Sequence, residues 1–498
     1  MFNIPDVKLG IISVSRDCFV LSLSERRVKA VAAACKSKYG IDAVLSGRIV
    51  ENENDMLAAV AEVKEAGCNA LLAFLGNFGP ETPETLIAKY FDGPVMYAAA
   101  AEETMDDLVN GRGDAYCGML NCSYNLGLRK LRAVIPECPV GTAEDVADMV
   151  NDFMPVARAL IGVANLKIIT FGPRPQDFFA CNAPIKGLYD IGVEVQENSE
   201  LDLLAAYNEC KDGPDVDAII KDMEKELGAE GNQYPDLLKK LARFELTLLN
   251  WAEKNRGSRK YVAFANKCWP AFPNEFKFVP CYVNSRLAAR GMPVGCEVDI
   301  YGALSEYIGA CVVEDAVTLL DINNTVPKDL YESDIKGKFP ANYKPGDVFM
   351  GFHCGNTPLC KLKKGAGVKY QLIMNRLMEG GATPDITRGT LEGEISAGGI
   401  TFYRLHANPD SSLQAYIAQG EVLPVHTRSF GGIGVFAIPE MARFYRHVLI
   451  AKRYPHHGAV VFEKAGKALY TIFDYLGVRD IAYNKPAGSL YYTENPFA

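Results

Sequence analysis

The sequence predicts an α/β protein in three parts: two α/β units with parallel sheets, then a β-rich segment. Three observations lead there. The 498 residues exceed what one hydrophobic core organises. Buried-strand and amphipathic-helix patterns alternate through most of the first 328 residues, the order that builds parallel sheets covered on both faces. Beyond Lys328 proline and glycine rise, helix signals thin, and short strands between turn residues take over. The expected boundaries are 1–160, 161–328 and 329–498.

In the first unit Lys8–Val14 reads as a buried strand and Ser24–Tyr39 as a helix with Ser24 placed to cap it. Asp42–Leu45, Cys68–Leu75 and Pro94–Ala98 are further strands, with a helix at Asn54–Ala66 between the first two. Ligand loops in such sheets follow the C-terminal ends of strands. Arg16, beyond the first strand, and the loop Gly76–Thr82, beyond the third, fall on that edge. The second unit opens with the strand Leu166–Thr170, which leads into Phe171-Gly172-Pro173-Arg174-Pro175. Val193–Gln196 follows, then one polar helical stretch over Asp215–Trp251, which Pro214 suits as a start. Tyr261–Ala265 delivers Asn266-Lys267-Cys268-Trp269 to its end. A helix over Ile300–Gly309 and a strand ending at Asp321 close the unit. In the last part Val348–His353, Ile400–His406 and Leu413–Ala418 read as strands, and Lys464–Leu476 as a helix.

Composition narrows the function. Hydrophobic content of 49% and charged content of 23% describe an ordinary soluble chain. A net charge of −9, with no basic stripe to offset it, argues against nucleic acid as a partner. No apolar run spans a bilayer, and the N-terminus lacks the pattern of a secretory signal. The 14 cysteines sit singly, mostly in apolar segments, as free thiols do in a reducing cytoplasm, the expected location. Neither G-x-G-x-x-G after the first strand nor G-x-x-x-x-G-K-[ST] occurs, so nucleotide binding has no local support.

The most informative stretch is Val294-Gly295-Cys296-Glu297-Val298-Asp299-Ile300-Tyr301-Gly302-Ala303-Leu304, a carboxylate loop running into a small-residue helix. A second acid, Asp321, follows the apolar run Ala316–Leu320. A buried acid at a strand end is costly without a cation or hydrogen bonds. With His456-His457 near the C-terminus, the two acids suggest a divalent metal site. Plainer readings exist for each. Glu297 could sit in a first helical turn, Asp321 in a turn leading to Asn323-Asn324, and either histidine on the surface. His456 is read as a surface histidine. Asp299 is better placed as a helix cap or a partner of a ligand than as a ligand. His353, Cys354 and Cys360 make no zinc signature, and Cys268 reads as a buried inert thiol.

The Cys296–Ser305 segment, Asp321-Ile322-Asn323-Asn324, His457-Gly458 with Leu476-Gly477-Val478, and Phe171–Pro175 with Phe178-Phe179 together resemble the L-fucose isomerase family. The resemblance runs through most of the chain in domain order. It implies two Rossmann-like doubly wound domains and a barrel-like C-terminal domain. It also implies an aldose–ketose isomerase using a divalent metal, Mn²⁺ first, with Mg²⁺ or Co²⁺ as alternatives. On the matching positions the metal ligands are Glu297, Asp321 and His457, and Glu297 and Asp321 are also the proton-shuttling carboxylates. A homotrimer or homohexamer is implied, with Arg16 available to a neighbour's pocket.

The chemistry suits these residue types. A hard divalent cation steadies the two oxygens of a cis-enediol, and a carboxylate moves the proton between adjacent carbons. Trp269, one of two Trp, is a candidate to stack on the sugar, and Arg16, Lys267 and His353 complete the expected substrate contacts. The expected substrate is a free monosaccharide. The scarcity of Trp and the cations Arg16, Arg174 and Lys267 near strand ends raise an alternative, an anionic sugar such as sulfoquinovose. An alternative of another class is a non-catalytic sugar-binding or regulatory protein on the same scaffold.

Overall fold

The computed structural model describes residues 1–175, 178–370 and 388–497. The chain forms two compact units: Pro5–Ile161, and Gly162–Ala498 together with Met1–Ile4.

The first unit alternates β1 (Leu9–Val14), α1 (Leu21–Tyr39), β2 (Val44–Leu45), α2 (Glu53–Glu65), β3 (Ala70–Leu75), α3 (Glu81–Tyr90), β4 (Val95–Ala100), α4 (Asp107–Asn110), α5 (Ala115–Leu128), β5 (Val140–Gly141) and α6 (Ala143–Ala164). Its sheet is parallel, in the order β2-β1-β3-β4-β5. β1, β3 and β4 are buried along their whole length, which is why they read as near-continuous apolar runs. The chain reverses winding between β1 and β3. There Asn77 donates to the Ser15 hydroxyl at 2.7 Å and accepts from the Arg16 amide at 3.0 Å. Arg16 is exposed, its guanidinium carbon 5.0 Å from the centre of the Phe78 ring.

The second unit begins with β6 (Leu166–Phe171), α7 (Lys186–Tyr189), β7 (Glu194–Asn198), α8 (Glu200–Glu209), α9 (Pro214–Gly231), α10 (Pro235–Asn255), β8 (Tyr261–Asn266), α11 (Cys281–Ala288), β9 (Val294–Cys296) and α12 (Ile300–Val313). The parallel sheet runs β7-β6-β8-β9. The single helix expected over Asp215–Trp251 is two helices. Gly228 takes a left-handed φ of 62°, and Pro235 starts α10 at the position where its missing N–H costs least.

β10 (Thr318–Thr325), α13 (Lys328–Asp334), β11 (Val348–His353), β12 (Gly367–Tyr370), β13 (Arg388–Glu394), β14 (Gly398–Ala407), β15 (Leu413–Leu423), β16 (Gly432–Ala437), α14 (Met441–Phe444), β17 (His457–Val461), α15 (Gly466–Tyr475) and β18 (Asp480–Tyr483) follow. The strand order β16-β11-β10-β17-β14-β15 closes on itself, because β15 also pairs with β16. All six pairings are antiparallel, which makes a barrel with no free edge in the ring. Phe349, Phe402, Phe436 and Tyr416 pack against one another in its core, Phe349 and Phe402 edge to face. Gly351 makes room for this, since a Cβ there would stand 2.4 Å from the Phe436 ring.

Two expectations change. Asp321 does not end its strand: β10 runs on to Thr325, pairing with β11 across a bulge between Ile322 and Asn324. No break falls near residue 328 either. β10 comes from the segment before it yet sits inside the barrel, so the last two expected parts form one unit. No helix among the described residues is long and apolar enough to cross a membrane.

α12 is buried on all sides and carries Glu306, fully enclosed, neither oxygen well hydrogen-bonded. Burial first, then the charge of Asp299, pushes its carboxyl up to about 8, against the pull of His457 and the Leu319 backbone. The folded-state value lies above the unfolded value, so Glu306 lowers stability as pH rises from about 4.5 to about 8. In Glu306→Gln that contribution disappears. Urea denaturation should show the variant gaining on the native protein by a few kcal/mol between about pH 5 and about pH 8, at roughly 1.4 kcal/mol per unit.

Candidate metal centre

The site lies where the end of β9 meets one end of the barrel. After Cys296 the chain turns sharply. Glu297 and Val298 both adopt left-handed φ angles of 59°, a region that costs a β-branched residue most. The turn is held by the Val298 amide, which donates to the Asn266 carbonyl at 3.1 Å, and by the Asp299 amide, which donates to the Cys296 carbonyl at 3.0 Å. Glu297 thus stands before the helix, not in its first turn.

Asp299 follows as the cap of α12, accepting from the Gly302 amide at 2.8 Å. Its carboxylate is fully buried. Both guanidinium ends of Arg404, on β14 and equally buried, grip it at 2.7 and 2.8 Å. His457 Nδ1 donates to the same carboxylate at 2.9 Å. Burial alone would raise the Asp299 carboxyl. The charge of Arg404 and the hydrogen bonds from His457 and Arg404 outweigh it and hold the group well below the usual carboxylate range.

With Nδ1 fixed, the His457 ring has one orientation, and Nε2 points at the two acids. It lies 3.1 Å from Glu297 Oε2 and 3.3 Å from Asp321 Oδ1. The second contact follows from register, since Asp321 on β10 pairs with His457 on β17. Around Asp321 Oδ1, His353 Nδ1 and His456 Nε2 each stand 3.8 Å away. Burial would raise the Asp321 carboxyl, but the close approach and charge of His457, with the fields of His353 and His456, bring it below its ordinary value.

Among the described residues, the buried atoms Asp321 Oδ1, His457 Nε2 and His353 Nε2 have no hydrogen-bond partner. Such atoms are expensive when buried and point to an occupant. Carboxylate and imidazole donors suit a divalent cation such as Mn²⁺. Among the described residues, two groupings have ligand atoms within 4.8 Å of one another: Glu297, His456 and His457, and Cys181, Asp299 and His457. The second is already engaged, because Asp299 is saturated by Arg404 and Gly302, and burial followed by the Asp299 charge raises the Cys181 thiol. The first, with Asp321, is the open one. His456, expected at the surface, is therefore part of the cluster.

Of the expected substrate contacts, His353 lies against Asp321 at the end of β11. Lys267, at the end of β8, pairs with Glu200 at 2.6 Å. Trp269 is half-buried two residues further on, and Arg16 stands at the winding reversal of the first unit. Phe178 packs on both histidine rings, at 5.5 Å from His456 and 6.2 Å from His457. Arg404 and Cys181 were missed in the sequence. The signal for Arg404 was present: an arginine inside the apolar strand Ile400–His406 needs a buried acid somewhere.

Replacing Arg404 by Met should leave Asp299 as an uncompensated buried charge. The expected cost is about 3–5 kcal/mol in urea denaturation. Arg404→Lys should recover only part of it, because an ammonium cannot supply the two-pronged grip.

Comparison with known proteins places these features. Residues 10–164 match the family described as Fucose/sulfoquinovose isomerase, N-terminal domain, and residues 351–483 match L-fucose isomerase, C-terminal domain. A sulfoquinovose isomerase of Priestia aryabhattai is 31% identical over 309 residues, covering 62% of each chain. One from Alkalicoccus urumqiensis is 24% identical over 326 residues, 62% of this chain and 63% of that protein. The chain thus matches these curated relatives over less than two-thirds of their length. The two family matches lie one in each compact unit and in the family's order, and the chain belongs to the L-fucose isomerase family.

Proposed function

We propose that this protein interconverts an aldose and its ketose, and that its sugar carries an anionic group, with sulfoquinovose the leading candidate. The carrying observation is the convergence of Glu297, Asp321 and His457, in which the buried atoms Asp321 Oδ1 and His457 Nε2 lack hydrogen-bond partners. Glu297, Asp321 and His457 would hold the divalent cation, which supplies positive charge against the negative charge that develops on the sugar's two oxygens.

The protein's own residues do the rest. One of the carboxylates, Glu297 or Asp321, takes the proton from C2 and returns a proton to C1, while the hydroxyl proton of O2 passes to O1. C2 is oxidised and C1 reduced within one molecule, so no external electron carrier is needed. The Asp299–Arg404 pair keeps His457 from rotating during this exchange.

For the anionic sugar, the names of the relatives support the alternative substrate over a neutral monosaccharide. Cations also flank the site. β6, β8 and β9 are adjacent, in the register Phe171↔Asn266↔Cys296, so Lys267 leaves the sheet one strand from Glu297 and Arg174 two strands from it. Lys267 is paired with Glu200, whereas Arg174 has no carboxylate partner among the described residues, so Arg174 is the better sulfonate contact. We further read the protein as a cytoplasmic homotrimer or homohexamer, in which Arg16 serves a neighbouring subunit.

The Mn²⁺-loaded protein should convert a sulfonated hexose to its ketose faster than it converts L-fucose, and chelation should abolish both reactions. Glu297→Gln should lower kcat by roughly 10²–10⁴ while leaving the protein folded. A metal-free protein with undiminished sugar affinity and no ketose product would instead make this a binding protein. Arg174→Met should raise KM for the sulfonated hexose about 10–100-fold, the worth of one charged hydrogen bond, and leave unsulfonated sugars unaffected.

A further inference from the structure

The described residues of the second unit form a cleft of about 800 Å³ that none of Glu297, Asp321, His353, His456 and His457 lines. That volume is within the range of small-molecule sites. The Asp299–Arg404 pair stands between the cleft and the metal centre. Arg404 grips Asp299, which holds His457, and also donates to His406 Nδ1 at 3.4 Å. His406 lines the cleft and is 7% exposed. Burial, then the charge of Arg404, lowers it to about 3, so the ring is neutral. A guanidinium only donates, so Nδ1 accepts and Nε2 carries the ring proton. No described residue accepts from that N–H. Lys452 and Arg453 line the cleft as well. Lys452 pairs with Asp480, also in the lining, whereas Arg453 has no carboxylate partner among the described residues. Gln414, 4% exposed, donates its side-chain amide to the Lys452 carbonyl at 3.3 Å, and Asn408 donates its own to the Ser412 hydroxyl at 3.0 Å. Each keeps its amide oxygen as an acceptor.

We propose that this cleft is a second ligand site, separate from the metal centre, and that it takes a phosphorylated monosaccharide. The donors call for an anion. A guanidinium, an ammonium and an imidazole N–H face one carboxylate, so the lining carries a net positive charge inside a chain of net charge −9. Phosphate suits the set better than carboxylate. A phosphate monoester carries nearly two negative charges and three terminal oxygens, enough to engage Arg453, Lys452 and His406 Nε2 together. The acceptors call for hydroxyl groups. Gln414 and Asn408 offer amide oxygens, and only a hydroxylated carbon chain attached to the phosphate would use them. The proposal does not rest on the isomerase reading, because no residue placed in that chemistry lines the cleft.

Calorimetric titration of the full-length protein, freed of metal by chelation, tests it without any turnover. Glucose 6-phosphate and fructose 6-phosphate are the probes, with glucose and inorganic phosphate as their two halves. At least one sugar phosphate should bind saturably, and roughly tenfold or more tighter than either half. Arg453→Asn removes the unpaired cation, and asparagine tolerates the left-handed φ of 61° at that position. It should weaken the sugar phosphate roughly tenfold or more, the worth of one charged hydrogen bond. Arg446→Asn, equally exposed but outside the lining, should keep the native affinity. Glu297→Gln should keep it too. Absence of saturable binding by both sugar phosphates overturns the proposal, as does inorganic phosphate binding as tightly as they do. Native affinity in Arg453→Asn also overturns it. So does loss of binding in Glu297→Gln, which would put the ligand at the metal centre.

Discussion

The site depends on one buried ion pair. Asp299 and Arg404 have no exposed surface, and two parallel hydrogen bonds join them. Buried pairs are poor sources of net stability, because removing two charges from water costs about what their attraction returns. Their value here is geometric. Asp299 also caps α12 and fixes His457, so one carboxylate sets the start of a helix, the orientation of an imidazole and the position of the loop carrying Glu297. Arg404 also donates to the His457 carbonyl at 3.3 Å, tying the histidine's backbone to the anchor that holds its ring.

Around that pair, two architectures meet. The parallel sheet delivers Glu297 from the end of β9, and the barrel delivers Asp321, His353 and His457 from three neighbouring strands. Strand register places the barrel residues, whereas Glu297 is placed by backbone strain. Two successive left-handed residues, the second a valine, persist only because Asn266 and Cys296 hold the turn from either side. Strain of this kind collects where a side chain must point against the preference of the chain, and here it turns a carboxylate towards an imidazole.

Much of this was legible before the structure. β1, β3, β6 and β8 are mostly apolar because both faces are covered, and such runs stand out in any sequence. The Glu297, Asp321 and His457 trio came from a resemblance, and on their own these residues had plain readings as helix, turn and surface residues. His456 was misjudged because its neighbourhood is built by β10 and β11, far away in sequence. Arg404 was passed over although its charge contradicts its strand. The closure of the barrel was invisible, since the pairing of β15 with β16 is a long-range event with no local sign. The break between α9 and α10 was overlooked for a smaller reason, a glycine and a proline inside a continuous polar pattern.

The position of β10 has a further consequence. The strand precedes residue 328, yet it lies between β11 and β17 in the closed ring. A fragment starting after it would have a gap one strand wide, with the edges of β11 and β17 unpaired and ready to join other chains. The C-terminal half is therefore not a cassette that recombination could transplant alone, and on the ribosome β10 emerges first and waits for β11 and β17 to be made.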